Sequence, residues 1–171
     1  FMLVAAMNPC PCGNYGSRIT PCRCTAQQIQ RYRNRISGPM LDRIDIHVEM
    51  GEVGYNDIAG RSCGEPSSAI RARVNAARAI QTRRYAGMGI LFNAQLTNRM
   101  MNQYCVLTSD AESLMKKAFA ALKLSARAYT RLLKVSRTIA DLAGSEQIKA
   151  EHIAEAIQYR SLESKYWGEI K

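Results

Sequence analysis

The stretch "LSARAYTRLLKVSRTIADLAG", residues 124–144, decides the architecture. Ser125 is a good N-cap, Gly144 a good C-terminal stop, and the residues between keep the period of a helix. Tyr129, Leu132, Leu133, Ser136, Ala140 and Ala143 fall on one face. Arg127, Arg131, Lys134, Thr138 and Asp141 line another. One face therefore packs against other helices, and the opposite one presents cations near the helix start. The helix dipole favours arginine at the other end. Arg127, set beside a positive helix end, suits an anion shared by both. The competing reading is a solvated charged face.

Helical patterning continues on both sides. A last helix is predicted over roughly Lys149 to Gln158, and another from Ser109-Asp110 to about Leu122. Ser67 or Ser68 caps a helix running to about Tyr85, with arginines at 71, 73, 78, 83 and 84. "GMG" (87–89) breaks the chain, and a helix from about Asn93 is interrupted by "TNRMMNQYC" (97–105). Residues 51–66 hold four glycines and read as a linker between two bodies.

Upstream the pattern changes. Phe1 to Ala6 read as a short, fully buried strand of a parallel sheet, ended by Asn8-Pro9. Thr25 caps a basic helix over "AQQIQRYRNRI" (26–36) that carries Arg31, Arg33 and Arg35. "SGP" (37–39) stops it. "IDIHVEM" (44–50) alternates like a half-buried strand. The predicted plan is a strand–helix–strand unit over 1–50, a linker over 51–66 and an all-α bundle over 67–171, mostly α overall.

With 171 residues the chain can bury a core without disulfides. The excess of 24 Lys+Arg over 14 Asp+Glu, +10, favours polyanionic partners such as DNA, RNA or nucleotide phosphates; a basic solvated surface is the alternative. No apolar run reaches the length of a membrane span. "FMLVAAM" is too short for one, lacks a basic leader and opens without an initiator Met. It reads neither as a signal peptide nor as a true N-terminus, but as a strand within a larger protein.

Between the first strand and the basic helix lies "NPCPCGNYGSRITPCRC" (8–24), which holds four of the six cysteines as two C-x-C pairs with nine residues between. Zn²⁺ accepts four thiolates in a tetrahedron, and two pairs in a Pro/Gly loop suit one structural ion held by Cys10, Cys12, Cys22 and Cys24. The alternatives are free thiols or an adventitious disulfide. Such clustering fits a reducing, cytoplasmic compartment better than a secreted framework. Four thiolates leave no open coordination position, so the expected role is structural. His47 lies mid-strand and is not expected to be a ligand. His152 is expected to cap or pack in the last helix, and Cys63 and Cys105 read as ordinary thiols. Arg18, Arg23, Arg31, Arg33 and Arg35 could meet DNA phosphate or form a solvated face.

"LVAAMNPCPCG", "RISGPMLDRIDIHVE", the 124–144 segment and "HIAEAIQYR" occur in an order that resembles the C-terminal half of the magnesium-chelatase-like AAA+ ATPases, over nearly the whole chain. The likeness is weakest around 51–66 and 87–105. It implies that the chain begins at the fourth strand of an α/β ATPase core and runs through the fifth into a helical lid. The phosphate loop G-x-x-x-x-G-K-[ST] and the acidic Mg²⁺-holding strand end are absent from it. ATP and Mg²⁺ are then cofactors of the intact protein only, and the chain alone is expected to be inactive.

By resemblance, Asn8 is similar to the sensor that orients the attacking water. Arg43 in "LDRID" resembles the arginine finger that reaches a neighbouring subunit's ATP, and Arg127 the lid's sensor arginine, with Arg131 one turn on as a second candidate. Read without the family, Asn8 ends a strand before proline, and Arg43 pairs with Asp42 or Asp45. The cysteine insert points to the bacterial competence-protein branch, and so to a hexameric ring acting on DNA. A magnesium-chelatase-type motor working on a protein partner and a non-enzymatic zinc-containing DNA-binding module are the other readings.

Overall fold

The computed structural model describes residues 2–55, 59 and 64–167, the last seven as backbone. Part of the expected linker at 51–66, residues 56–58 and 60–63 with Cys63 among them, lies outside these residues. Among the described residues the chain is mostly helical: α1 (Ala26–Arg33), α2 (Gly38–Leu41), α3 (Ser67–Arg84), a 3-10 turn (Asn93–Gln95), α4 (Asn98–Tyr104), α5 (Ser109–Ala121), α6 (Ala126–Leu142) and α7 (Ala150–Trp167).

Local chemistry sets most of these ends. Thr25 Oγ1 accepts from the Gln28 backbone N–H while Gln28 Oε1 accepts from that of Thr25, a reciprocal capping box that starts α1. Thr97, Thr108 and Ser125 accept from backbone N–H groups three residues on and start α4, α5 and α6. α3 departs from expectation: Pro66, not Ser67 or Ser68, stands at its cap position and gives no side-chain bond. At the end of α6, Gly144 takes φ +66. Ser145 N–H donates to the Ala140 carbonyl at 2.8 Å and Gly144 N–H to that of Asp141 at 3.1 Å, closing a Schellman motif. α7 continues to Trp167, past the predicted Gln158, because no glycine or proline occurs before Gly168.

α6 is the centre of the bundle. It packs on α7, α3, α4 and the 3-10 turn, and α5 packs on α7. Leu132, Leu133, Ser136 and Ala140 are buried as the period requires, against Tyr85, Met115, Ile148 and Ile153. Burying each large apolar side chain contributes about 1.5–3 kcal/mol. Ala143 is exposed, although it shares that face by count.

The two expected strands do not form. Residues 2–7 and 45–50 carry no sheet ladder, and Met2, Val4, Val48 and Met50 lie exposed. A strand satisfies its backbone through a neighbour, and the described residues offer neither segment one. Their single β-bridge joins Leu107 to Ile148.

Candidate functional site

The cysteine loop leads directly into α1. Gly13 N–H donates to the Cys10 carbonyl at 3.1 Å, and Ser17 N–H to that of Asn14 at 3.1 Å, folding the loop back on itself. Cys10 Sγ lies 3.4 Å from Cys12 Sγ and 3.7 Å from Cys22 Sγ, and Cys12 and Cys22 are 3.6 Å apart. All four sulfurs, Cys24 included, fall within 4.8 Å of one another. Four thiolates at ~2.3 Å from one Zn²⁺ would stand roughly 3.8 Å apart, so the donor set fits a tetrahedral ion. Cys10 is buried, and Cys12 faces solvent. Backbone N–H groups of Asn14 and Arg23, then the Cys10 side chain, lower the Cys12 thiol to about 6, the direction a thiolate ligand needs. Desolvation first raises that of Cys24.

Arg33 anchors the loop. Although the sequence offers it with Arg31 and Arg35 as a candidate phosphate contact, it is buried: its Nε donates to the Pro9 carbonyl at 3.2 Å and its guanidinium lies over the Tyr15 ring. Arg18, Arg23, Arg31 and Arg35 remain exposed. Gln27, Gln30, Arg31, Asn34 and Arg35 line a shallow depression of about 370 Å³ on α1.

Asn8 is exposed at the entrance to the loop. A Cβ at position 13 would lie 3.7 Å from its Nδ2, an ordinary contact, so it is the φ of +83 that calls for glycine at this turn. Asn8 therefore sits against the cysteine loop, within van der Waals reach of its first turn.

Arg43 is also exposed, and its Nη1 donates to the Pro39 carbonyl at 2.7 Å. Its flanking acids are held elsewhere. Asp42 Oδ1 accepts from Arg160 Nη2 at 3.2 Å and Oδ2 from Ser125 Oγ at 3.4 Å. Asp45 Oδ1 accepts from Arg131 Nη1 at 2.5 Å, and the same nitrogen reaches the Arg43 carbonyl. Arg131 is thus engaged in holding residues 43–45. Arg127, one turn earlier at the start of α6, is exposed and has no carboxylate partner among the described residues.

A buried polar network around Asp141 has no counterpart in the sequence analysis. Arg137 has Nε 3.1 Å from Asp141 Oδ1 and caps the carbonyls of Ser145 and Glu146. Arg84 adds two bonds to Asp141, and Asn93 Nδ2 a third at 2.9 Å. Arg160 also goes unread in the sequence. The Arg137–Asp141 spacing of four is the only local side-chain signal; the other side chains on Asp141, Arg84 and Asn93, lie 57 and 48 residues away. His152 packs as expected: its Nδ1 accepts from Lys149 N–H at 3.0 Å, and burial lowers its pKa. Cys105 is a core thiol pushed up to about 11 by burial.

The family model described as "Magnesium chelatase, subunit ChlI C-terminal" matches residues 64–160, and that described as "Magnesium chelatase, subunit ChlI" matches residues 1–58. The chain is 44% identical over 163 residues to the competence protein ComM of Haemophilus influenzae. It is 42% identical over 164 residues to protein YifB of Salmonella typhimurium, and 32% identical over 160 residues to protein Mb2921c of Mycobacterium bovis. These alignments cover 94–95% of the chain but 31% of each relative, so the chain spans about a third of the length of the curated relatives it matches. On the match over residues 64–160, the chain belongs to the magnesium chelatase ChlI family.

Proposed function

We propose that the chain is the C-terminal part of a ring-forming AAA+ ATPase that works on DNA in the cytoplasm, with Arg43 completing the ATP site of a neighbouring subunit. The state of Arg43 carries the reading. An arginine between two aspartates would ordinarily pair with one of them. Here Asp42 and Asp45 are taken by Arg160 and Arg131, and among the described residues the guanidinium of Arg43 meets only a carbonyl. Such a group is free to meet a transferring phosphoryl group, where an arginine finger contributes about 10³–10⁵ in rate. Asn8, a neutral amide, orients the attacking water, and Arg127 senses the γ-phosphate from the first turn of α6.

The cysteine loop is a structural Zn²⁺ site beside Asn8 rather than a catalytic one, since four thiolates close the coordination sphere. ATP and Mg²⁺ bind to the part of the protein that carries the phosphate loop. The DNA assignment rests on the likeness to a competence protein, on the +10 charge and on the exposed arginines of the loop and α1. It implies a hexamer that moves along DNA and promotes branch migration during natural transformation.

Steady-state ATPase of the full-length protein tests the assignment. Arg43→Ala should lower kcat about 10³-fold and Arg127→Ala by a smaller factor. A full rate in Arg43→Ala would remove the finger. On the DNA side, replacing Arg31 and Arg35 together with alanine should lower the slope of log affinity against log salt by roughly 1–2. An unchanged slope would place the DNA surface elsewhere.

A further inference from the structure

We propose that Asp42 and Asp45 are positioning residues that latch Arg43 to the lid helices α6 and α7, so that the arginine moves with the lid. The proposal rests on Arg43 acting as described above. The latch is built from residues more than eighty positions apart and grips the chain on both sides of Arg43. Ahead of it, Asp42 accepts from Arg160 of α7 at 3.2 Å and from Ser125, the cap of α6, at 3.4 Å. Behind it, Arg160 Nη1 donates to the Ile44 carbonyl at 3.4 Å, Arg131 of α6 donates to Asp45 at 2.5 Å, and His47 N–H donates to the Tyr159 carbonyl at 2.9 Å. Arg131 also bonds the carbonyl of Arg43 itself.

Any one of these contacts would be weak. The Arg131–Asp45 pair is partly exposed, and isolated surface pairs are worth about 0–1 kcal/mol. Together these six contacts hold residues 42–47, three through backbone atoms and three through the two aspartates, while leaving the Arg43 guanidinium outside the network. The two lid arginines have a second effect. They neutralise the carboxylates that would otherwise compete with phosphate for Arg43. Loss of Arg131 therefore acts twice, by loosening the segment and by freeing Asp45 to capture the finger.

The latch also joins two sensing residues. Arg127 and Arg131 lie on one rigid helix, a single turn or ~6 Å apart along its axis. A phosphate drawn to Arg127 shifts the same body that holds the backbone of Arg43. A misplacement of about 1 Å in a positioning group can cost ~10²-fold in rate, so a small lid movement suffices to switch the finger in or out of reach.

The test uses the full-length ring, with Arg131→Ala, Asp45→Asn and Asp42→Asn made alone and in the Arg43→Ala background. The expected result is a kcat lowered roughly tenfold by each single change with KM for ATP unchanged, partial recovery in Arg131→Lys, and no further loss when the change is added to Arg43→Ala. Two results overturn the latch: full activity in the single variants, or an equal loss whether or not Arg43 is present, which marks general damage. Wild-type activity in Arg43→Ala instead overturns the finger assignment on which the latch depends. Thermal unfolding of Arg131→Lys and Asp45→Asn, neither of which removes buried side-chain volume, separates misfolding from mispositioning.

Discussion

Asp141 has a fully buried side chain and accepts hydrogen bonds from Arg84, Arg137 and Asn93. Burial pushes its carboxyl pKa up, but the bonds from Arg84 and Asn93 and the charge of Arg137 outweigh burial, and the net shift is downward. A carboxyl depressed in the folded state stabilises it above the unfolded pKa of about 3.9, and that stability is lost as pH falls through the folded value. The bundle should therefore lose helix cooperatively below about pH 4. Asp141→Ala should cost about 3–5 kcal/mol in chemical denaturation, because it strands the buried Arg137; a cost under 1 kcal/mol would contradict the network. The sequence placed Asp141 on a charged face with Arg127 and Arg131. A helical wheel gives angular position but not the neighbour it meets, and Arg84 lies 57 residues away.

Among the elements, α6 was legible because its stop signals are local. Ser125 accepts from Ala128 N–H at 3.1 Å, and Gly144 takes the positive φ of a C-terminal stop. Ser125→Ala should cost about 1 kcal/mol, as loss of an N-cap does. Gly144→Ala should cost about 1–2 kcal/mol, the penalty for placing a Cβ in the left-handed region. Equilibrium urea titrations read both, and unchanged midpoints would show that the caps are not formed in solution. The strands expected at 1–6 and 44–50 are absent among the described residues for the opposite reason. Apolar runs and alternation describe side chains, whereas a strand exists only through a partner, and none stands beside them among the described residues. The segment around Arg43 is ordered by α6 and α7 instead, through arginines whose role no local pattern announced.

At the scale of the molecule, the cysteine clasp and the bundle draw on separate interactions. The bundle core runs from Tyr85 to Ala156 and includes no residue of the loop. If the proposed Zn²⁺ is bound, chelation should expose four titratable thiols at Cys10, Cys12, Cys22 and Cys24 while the helical circular dichroism of α3–α7 persists; loss of the helical signal as the thiols appear would make the clasp part of the core. In the ring proposed above, Asn8 beside the clasp and Arg43 on its latch would serve different ATP sites. The central claim is therefore that Arg43 acts across a subunit boundary. Its most direct measurement is a mixing titration of full-length Arg43→Ala subunits with subunits that keep Arg43 but carry a disabled phosphate loop, reading ATPase rate against mole fraction. A finger used by the neighbour predicts that subunits with an intact Arg43 but a disabled phosphate loop restore hydrolysis when mixed with Arg43→Ala subunits, each inactive alone. No recovery in rings shown to be mixed would contradict it.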